Sequence, residues 1–463
     1  MASSKKRPRS DLLERVRSRV LQHVPHGARL TLALSGGVDS IAALDLLARL
    51  APAHPFRLSC LHVNHRISPN AGAWARFVRA AARRRGVRCI VHAVDLSPYR
   101  GLGLEGAARA ARYDAFARAK ADLIVLAQHQ DDQAETVLLQ LVRGAGLAGL
   151  AAMPMLRAHD SPGAPRLLRP LLGASRAEIE DYARERRLAW IEDETNADER
   201  RSRNLVRRRV MPLLRELNPA AAANLARSAA HLAEANELAQ ALGAIDAHAA
   251  TADRRLSVAA LARLPRARAK NALRWTLVAA GVGAPDSAQL NELMRQLITA
   301  RDDATVRVSL AGAEVRRYRG AVWVVSRGAP PPVAFRARWN GRRHWRLPEL
   351  GGVLRFQARK GAGVRVEALA RGPVEVRVRV GGERFQPDPK RPRRTLKHLV
   401  QEAGVPPWER DRLPLLYSGR ELVVVPGVGV AAALQAGPGE RGFVVSWEPL
   451  PVGSPTTRKR VIK

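Results

Sequence analysis

The sequence predicts an α/β protein: a parallel sheet with helices on both faces, followed by a mostly helical domain and a small α+β domain. Three observations carry that expectation. Apolar runs alternate with amphipathic ones from Arg29 to about His129, a glycine-bearing turn joins the first of these strands to the first helix, and beyond Pro219 the chain becomes Ala/Leu-rich before strand-like alternation returns. Continuous apolar strands set between amphipathic helices are the pattern of a sheet buried on both sides.

Taken in order, RLTLAL precedes IAALDLLARL, FRLSCLHVNH precedes AWARFVRAAARRRG, VRCIVHAVDL precedes EGAARAARYDAFARAK, and ADLIVLAQH precedes DQAETVLLQLVRG. In such sheets ligands gather beyond the carboxyl ends of the strands. Residues 35–40 (SGGVDS), 62–65 (HVNH) and 129–132 (HQDD) each follow a strand, so three polar clusters are expected on one rim. The domains are expected at 1–218 (catalytic), 219–327 (mostly helical) and 372–449 (compact α+β), with a basic tail at 450–463. Between them, 328–371 reads as a linker with short β segments, opening on Gly328-Ala329-Pro330-Pro331-Pro332, a stiff signal. Leu232, Leu238, Leu242 and Leu261 are expected in the core of the helical domain.

Composition narrows the partner. In 463 residues, 78 Lys+Arg against 42 Asp+Glu give a formal net charge of +36, which favours a polyanion, with nucleic acid first. Arginine-for-lysine usage in a GC-rich genome is the competing account of part of that charge. Cys60 and Cys89 both lie in apolar strand-like runs, which supports neither a disulfide framework nor a zinc site. No apolar run reaches membrane-span length, and the basic N-terminus lacks a signal peptide's apolar segment; a cytoplasmic protein with no membrane partner is expected.

The turn itself is a phosphate cradle. Gly36 and Gly37 let backbone N–H groups face an anion at a helix start, with Ser35 and Ser40 as further hydroxyl donors. The spacing lacks the lysine of a Walker loop, so γ-phosphate transfer is not the natural reading. Asp39 beside a triphosphate suits Mg²⁺. Asp132 and Glu135, three apart, share a helix face: they can grip a cationic amine, while Asp131 and Asp132 can equally cap the helix. Arg109 and Arg112 form a similar pair, suited to an α-phosphate or to a solvated face.

SGGVDS resembles the PP-loop of the N-type ATP pyrophosphatases, which split ATP between its α- and β-phosphates and adenylate an oxygen. Together with HVNHRISPNA and Trp74, EGAARAARY, HQDDQAET, LVRGAGLAGLAAMP, EDETNADERRSRNLVRRRVMP and the C-terminal GGERFQP, LKHLVQEAGVPPWERDRLPLL and ELVVVPGVGVA, it resembles the tRNA(Ile)-lysidine synthases from Arg29 to Trp447. Ile67-Ser68 stands where many members have Leu-Arg, and Thr195 where Ser is common.

The resemblance implies a Rossmann-like PP-loop domain, ATP and Mg²⁺, and two steps on the wobble cytidine of a CAU-anticodon tRNA(Ile). The cytosine C2 oxygen attacks the α-phosphate; the ε-amine of free L-lysine then attacks C2 and expels AMP. It further implies roles. Ser35, Gly36, Gly37, Val38, Asp39 and Ser40 cradle pyrophosphate, Asp39 as metal ligand; His62, Asn64, His65 and His129 complete the nucleotide site. Arg109 and Arg112 stabilise the transferring phosphate, and Asp132 and Glu135 hold lysine. Arg201, Arg203, Asn204, Arg207 and Arg208 would meet the tRNA backbone near the anticodon stem, unless Glu192, Asp193 and Glu194 engage that basic run. Lys390, Arg393, Arg394 and Lys397 would meet the acceptor stem, with Trp408 either stacking there or packing in the core. A homodimer is one possible assembly. Two other classes stand beside this reading: another PP-loop tRNA-modifying enzyme, such as a 2-thiolase relying on cysteines or an iron–sulfur cluster, and a non-catalytic tRNA-binding protein.

Overall fold

The computed structural model describes residues 12–161, 163–192, 202–252, 255–283, 285–301, 306–326, 332 and 334–450. Expectations resting on Arg200, Arg201, Asp193, Glu194, most of the stiff signal at 328–332 and the basic tail lie outside the described residues. The chain divides into two compact units, residues 1–238 and 239–463.

The first unit begins with α1 (Leu12–His23) and then alternates strand and helix: β1 (Arg29–Ala33), α2 (Val38–Leu50), β2 (Arg57–Asn64), α3 (Ala71–Arg83), β3 (Arg88–Ala93), α4 (Gly103–Ala117), β4 (Leu123–Val125) and α5 (Gln130–Val142). After a short α6 (Leu147–Leu150), β5 (Leu156–Arg157) and β6 (Arg166–Leu168) precede α7 (Arg176–Glu185). The sheet order is β3-β2-β1-β4-β6-β5, parallel except for β5, which runs antiparallel at the edge.

Period-two patterning explains why this sheet has no solvent face. Leu30, Leu32, Cys60, Val125 and Leu168 point into one core with residues of α1, α2, α3 and α7. Their neighbours Ala33, Leu61, Ile124, Leu126 and Leu167 point the other way, against Tyr113 and Phe116 of α4. Because β2 and β4 flank β1 on opposite sides, the connection from β1 to β2 and the crossover from β3 to β4 run in opposite directions and open a crevice at the carboxyl end of β1, where the loop at 35–40 lies.

Past α7, α8 (Ser202–Leu205), a π-helical turn (Val206–Val210) and α9 (Met211–Leu217) lead into the long α10 (Ala221–Ala249). In the second unit, α11 (Val258–Arg263), α12 (Arg266–Ala279) and α13 (Ser287–Thr299) pack with a three-stranded antiparallel sheet, Arg307–Leu310, Ala313–Tyr318 and Ala321–Ser326, around Leu261, Leu273, Leu290 and Val315. Leu261 is fully buried as expected. Leu238 and Leu242 are not core: they are 73% and 39% exposed, because the 3.6-residue period of α10 turns them to its outer face.

The stretch read as a linker with short β segments supplies Arg336–Arg338, His344–Leu347, Gly352–Lys360 and Val364–Arg365. These strands join sheets with later ones, Gly352–Lys360 pairing along its whole length with Arg441–Pro449, and Leu347, Leu354 and Phe356 share one core with Val376, Leu416 and Val424. Pairing partners so far away in sequence leave no local trace. No helix among the described residues is long and apolar enough to cross a membrane.

Candidate active site

At the crevice the backbone turns sharply through Ser35 and Gly36. Gly36 has φ +102°, a region unfavourable to L side chains, and a Cβ there would stand 2.7 Å from Ile191 Cδ1. Ile191 N–H also donates to Gly36 O at 2.9 Å, so the segment after α7 lies across the loop. Ser40 is spent on the same turn: its hydroxyl accepts from Gly36 N–H (3.0 Å) and donates to Gly37 O (2.9 Å). Ser40 therefore shapes the cradle, whereas the sequence suggested a donor to the anion. Gly37 is the N-cap of α2 without a side-chain cap, which leaves first-turn N–H groups for an external acceptor.

A cavity of about 400 Å³ opens beside the loop. Ser35, Asp39 and Ser40 line it with His62, Asn64 and His65 from the end of β2 and Arg109 and Arg112 from α4, while Trp74 and Tyr113 add aromatic walls. His62 is fixed by Nδ1 against Leu34 O at 2.8 Å, and Asn64 Oδ1 accepts from Arg66 N–H at 2.9 Å. Burial, then the charge of Arg112, holds His65 at a pKa of about 4, so it faces a ligand as a neutral ring. Arg109 lies 4.8 Å over the Tyr113 ring and donates to its hydroxyl. Arg112 makes no ion pair among the described residues; desolvation and the neighbouring Arg109 lower its pKa against the smaller opposing pull of Tyr113 and Glu105, leaving a largely desolvated cation at the cavity wall. Such a group favours an anionic ligand.

His129, 1% exposed, links this cavity to the acids of α5. Its Nε2 lies 3.6 Å from Asp39 Oδ1 and 3.5 Å from Asp132 Oδ2, and its Nδ1 lies 3.7 Å from Asp131 Oδ2. Burial raises the Asp39 pKa against the pull of His129 and Arg176, and its buried Oδ1 has no hydrogen-bond partner. That orphaned oxygen at the cavity edge fits Mg²⁺, which keeps most of its water and phosphate ligands and needs only one or two protein carboxylates. Among the described residues no three His, Cys, Asp or Glu side chains form a closed metal cage.

Both readings of the α5 acids are realised. Asp132 Oδ2 caps the helix by accepting from His129 N–H at 3.0 Å, and Asp131 Oδ2 accepts from Arg176 N–H at 2.8 Å, tying α5 to α7. The rest of these carboxylates meets arginine. Arg203 bridges Glu135 Oε2 (2.8 Å) and Asp132 Oδ1 (3.0 Å); Arg207 reaches Glu135 Oε1 (2.5 Å) and Oε2 (3.0 Å) and Asp132 Oδ1 (3.2 Å). Arg215 holds Asp131 Oδ1 at 2.5 Å. Burial opposes ionisation of Asp132, but His129, Arg203, the capping N–H and Arg207 together outweigh it and keep the carboxyl below its usual range. Arg203 and Arg207, expected at a tRNA backbone, thus sit on the two acids expected to hold lysine. Asn204 between them is buried, while Arg208 is exposed.

In the second unit Lys390, Arg393 and Lys397 are exposed, Arg393 donating to Arg384 O at 3.2 Å. Arg394 is engaged by Glu402 at 2.8 Å. Trp408 packs edge-on against Tyr318 and Trp323, with Arg316 over its ring. Burial raises both thiols, Cys89 to about 11 and Cys60 further, so neither is a nucleophile at neutral pH.

Sequence reasoning missed Ile191, Arg176 and Arg215 as parts of this site. Each joins it through folding rather than through a motif; only the four-residue spacing of Arg203 and Arg207, matching a three-residue acidic pair, carried a signal. Residues 12–214 match the PP-loop domain family, 256–323 the TilS substrate binding domain and 374–447 the TilS substrate C-terminal domain. The chain is 40% identical over 458 residues to the tRNA(Ile)-lysidine synthase of Nitrosomonas europaea, covering 99% of this chain and 100% of that one. It is 42% identical over 425 residues to that of an Azoarcus species and 42% over 439 residues to that of Ralstonia nicotianae, in each case covering 91% of this chain and 92% of the relative.

Proposed function

The chain belongs to the tRNA(Ile)-lysidine synthase family, and from that premise we propose that it joins free L-lysine to the wobble cytidine of a CAU-anticodon tRNA(Ile) at the expense of ATP. The observation that carries this reading is the convergence on one crevice of an anion cradle, a desolvated arginine and a buried acidic pair, with His129 between them.

In the first step the cytosine C2 oxygen forms a bond to the α-phosphorus and pyrophosphate leaves. The first-turn N–H groups of α2 receive the leaving pyrophosphate, while Arg112, with Arg109 beside it, stabilises charge on the transferring phosphate. Mg²⁺ held by Asp39 would screen the phosphate charge. His62, Asn64, His65 and Trp74 bound the pocket for the adenosine end of the nucleotide.

In the second step the lysine ε-amine forms the C–N bond at C2 and AMP departs with the former C2 oxygen. Lysine arrives as an ammonium and must react as an amine, so Asp132 and Glu135 first bind the charge and one of them then takes a proton. Arg208, Lys390, Arg393 and Lys397 supply phosphate contacts to the RNA. A substrate of this kind puts the protein in the cytoplasm. The thiolation alternative loses support from the raised thiols of Cys60 and Cys89.

The test is incubation of the full chain with ATP, Mg²⁺, labelled lysine and CAU-anticodon tRNA(Ile) transcript. Label should enter the RNA only when the wobble base is cytidine, with stoichiometric pyrophosphate. Pyrophosphate release without label would leave a PP-loop enzyme of different specificity; RNA binding with neither would leave a binding protein.

A further inference from the structure

The acids assigned to lysine are already occupied by cations of the chain itself. Glu135 Oε1 and Oε2 and Asp132 Oδ1 all accept from Arg203 or Arg207, and Asp132 Oδ2 accepts from His129 N–H. Every carboxylate oxygen of the pair thus already accepts at least one hydrogen bond from the chain itself. The acids lie beneath, their side chains 2% and 12% exposed, and both arginines lie outward at 30%. Lysine entering from the solvent side therefore competes with a guanidinium for these acids.

Charge neutrality says how many. Two carboxylates and two guanidiniums balance; one ε-ammonium restores that balance if one arginine leaves and one stays. Withdrawal of Arg207 with nothing in its place leaves two buried carboxylates sharing Arg203 alone, which is unfavourable, so departure and lysine entry are coupled. The arginine that leaves must find another anion, and phosphate oxygens are a good match for guanidinium. Arg207 is the better placed to move, because it sits in the π-helical turn Val206–Val210, whereas Arg203 belongs to α8 and also reaches Asp132 O. Isolated π turns are rare departures from the α-helix and are frequent at functional sites.

We propose that Arg207 is a built-in surrogate for the substrate ammonium: it occupies the lysine subsite in the free protein, and a tRNA phosphate draws it off so that lysine binds only when RNA is present. This rests on Asp132 and Glu135 being the lysine subsite. It orders the reaction, keeping free lysine out of a site that has no RNA to modify. Arg203 stays in place as the second counter-charge.

The experiment is equilibrium dialysis of labelled lysine against the full chain, with and without CAU-anticodon tRNA(Ile). In the unsubstituted protein, RNA should tighten lysine binding at least about tenfold, and lysine should tighten RNA binding by the same factor, since coupling is reciprocal. Arg207→Gln should bind lysine without RNA about as tightly as the unsubstituted complex does, and should lose most of the RNA response. Arg207→Lys, which keeps a cation on the acids, should keep the response. Absence of coupling in the unsubstituted protein overturns the proposal even if Arg207→Gln fails to fold, and so does an undiminished RNA response in folded Arg207→Gln. Glu135→Gln separates the two ideas: if it binds lysine normally in the RNA complex, the assignment of the subsite fails, whatever Arg207 does.

Discussion

Single residues already divide the two half-reactions. Asp132→Asn and Glu135→Gln should reduce lysine incorporation by about 100-fold, the usual scale for removing a proton-transfer group, while tRNA-dependent pyrophosphate release falls much less; lysine incorporation that survives both substitutions would remove these acids from the second step. Glu135→Gln should also lower unfolding free energy in urea by about 3 kcal/mol, because two arginines lose a buried partner. His65 gives a pH signature. Its folded pKa of about 4 lies below the ordinary 6.5, so the native state binds fewer protons between those values, and stability falls as pH drops through that window. His65→Asn should flatten that part of the urea-stability profile; an unchanged slope would contradict the burial of the ring.

Elements tell which parts of the site can be read from a sequence. Strand-then-helix alternation through α5 was legible because buried strands and amphipathic helices have different periods, and the three rim clusters follow from strand direction. The cradle was legible from its glycines and its place between a strand and a helix, but its fastening was not. Ile191 closes over Gly36 from beyond α7, and apolar residues of that kind carry no mark of where they pack. The arginines of α8 and the π-helical turn were equally opaque, since a basic run has one composition whether its charges meet RNA or acids of the same chain. Gly36→Ala tests the turn: the positive φ and the clash with Ile191 should together cost about 1–3 kcal/mol and abolish ATP-dependent pyrophosphate release. Ile191→Ala added to it should recover part of the stability and none of the backbone strain; full recovery by the double variant would show that the φ at Gly36 is not required.

At the scale of the whole chain, the count of 78 Lys+Arg overstates the cations free to bind RNA. Arg203, Arg207, Arg215 and Arg394 are engaged by carboxylates, so arginine content and RNA affinity are different quantities. Lys390 and Lys397 are exposed and belong to the remainder. Replacing both by Ala should weaken tRNA binding whatever the wobble base and should reduce the slope of log affinity against log salt by about one for each phosphate no longer neutralised. An unchanged slope in filter binding would remove this patch from the interface. The bridge from Ile191 to Gly36 also sets a timetable for synthesis: the cradle is translated early, yet its strained turn is latched only after α7 has emerged and docked. A nascent chain still short of that point carries the nucleotide motif in full and lacks the clasp that holds it in binding shape, so ATP recognition should arise late in translation rather than with the motif itself.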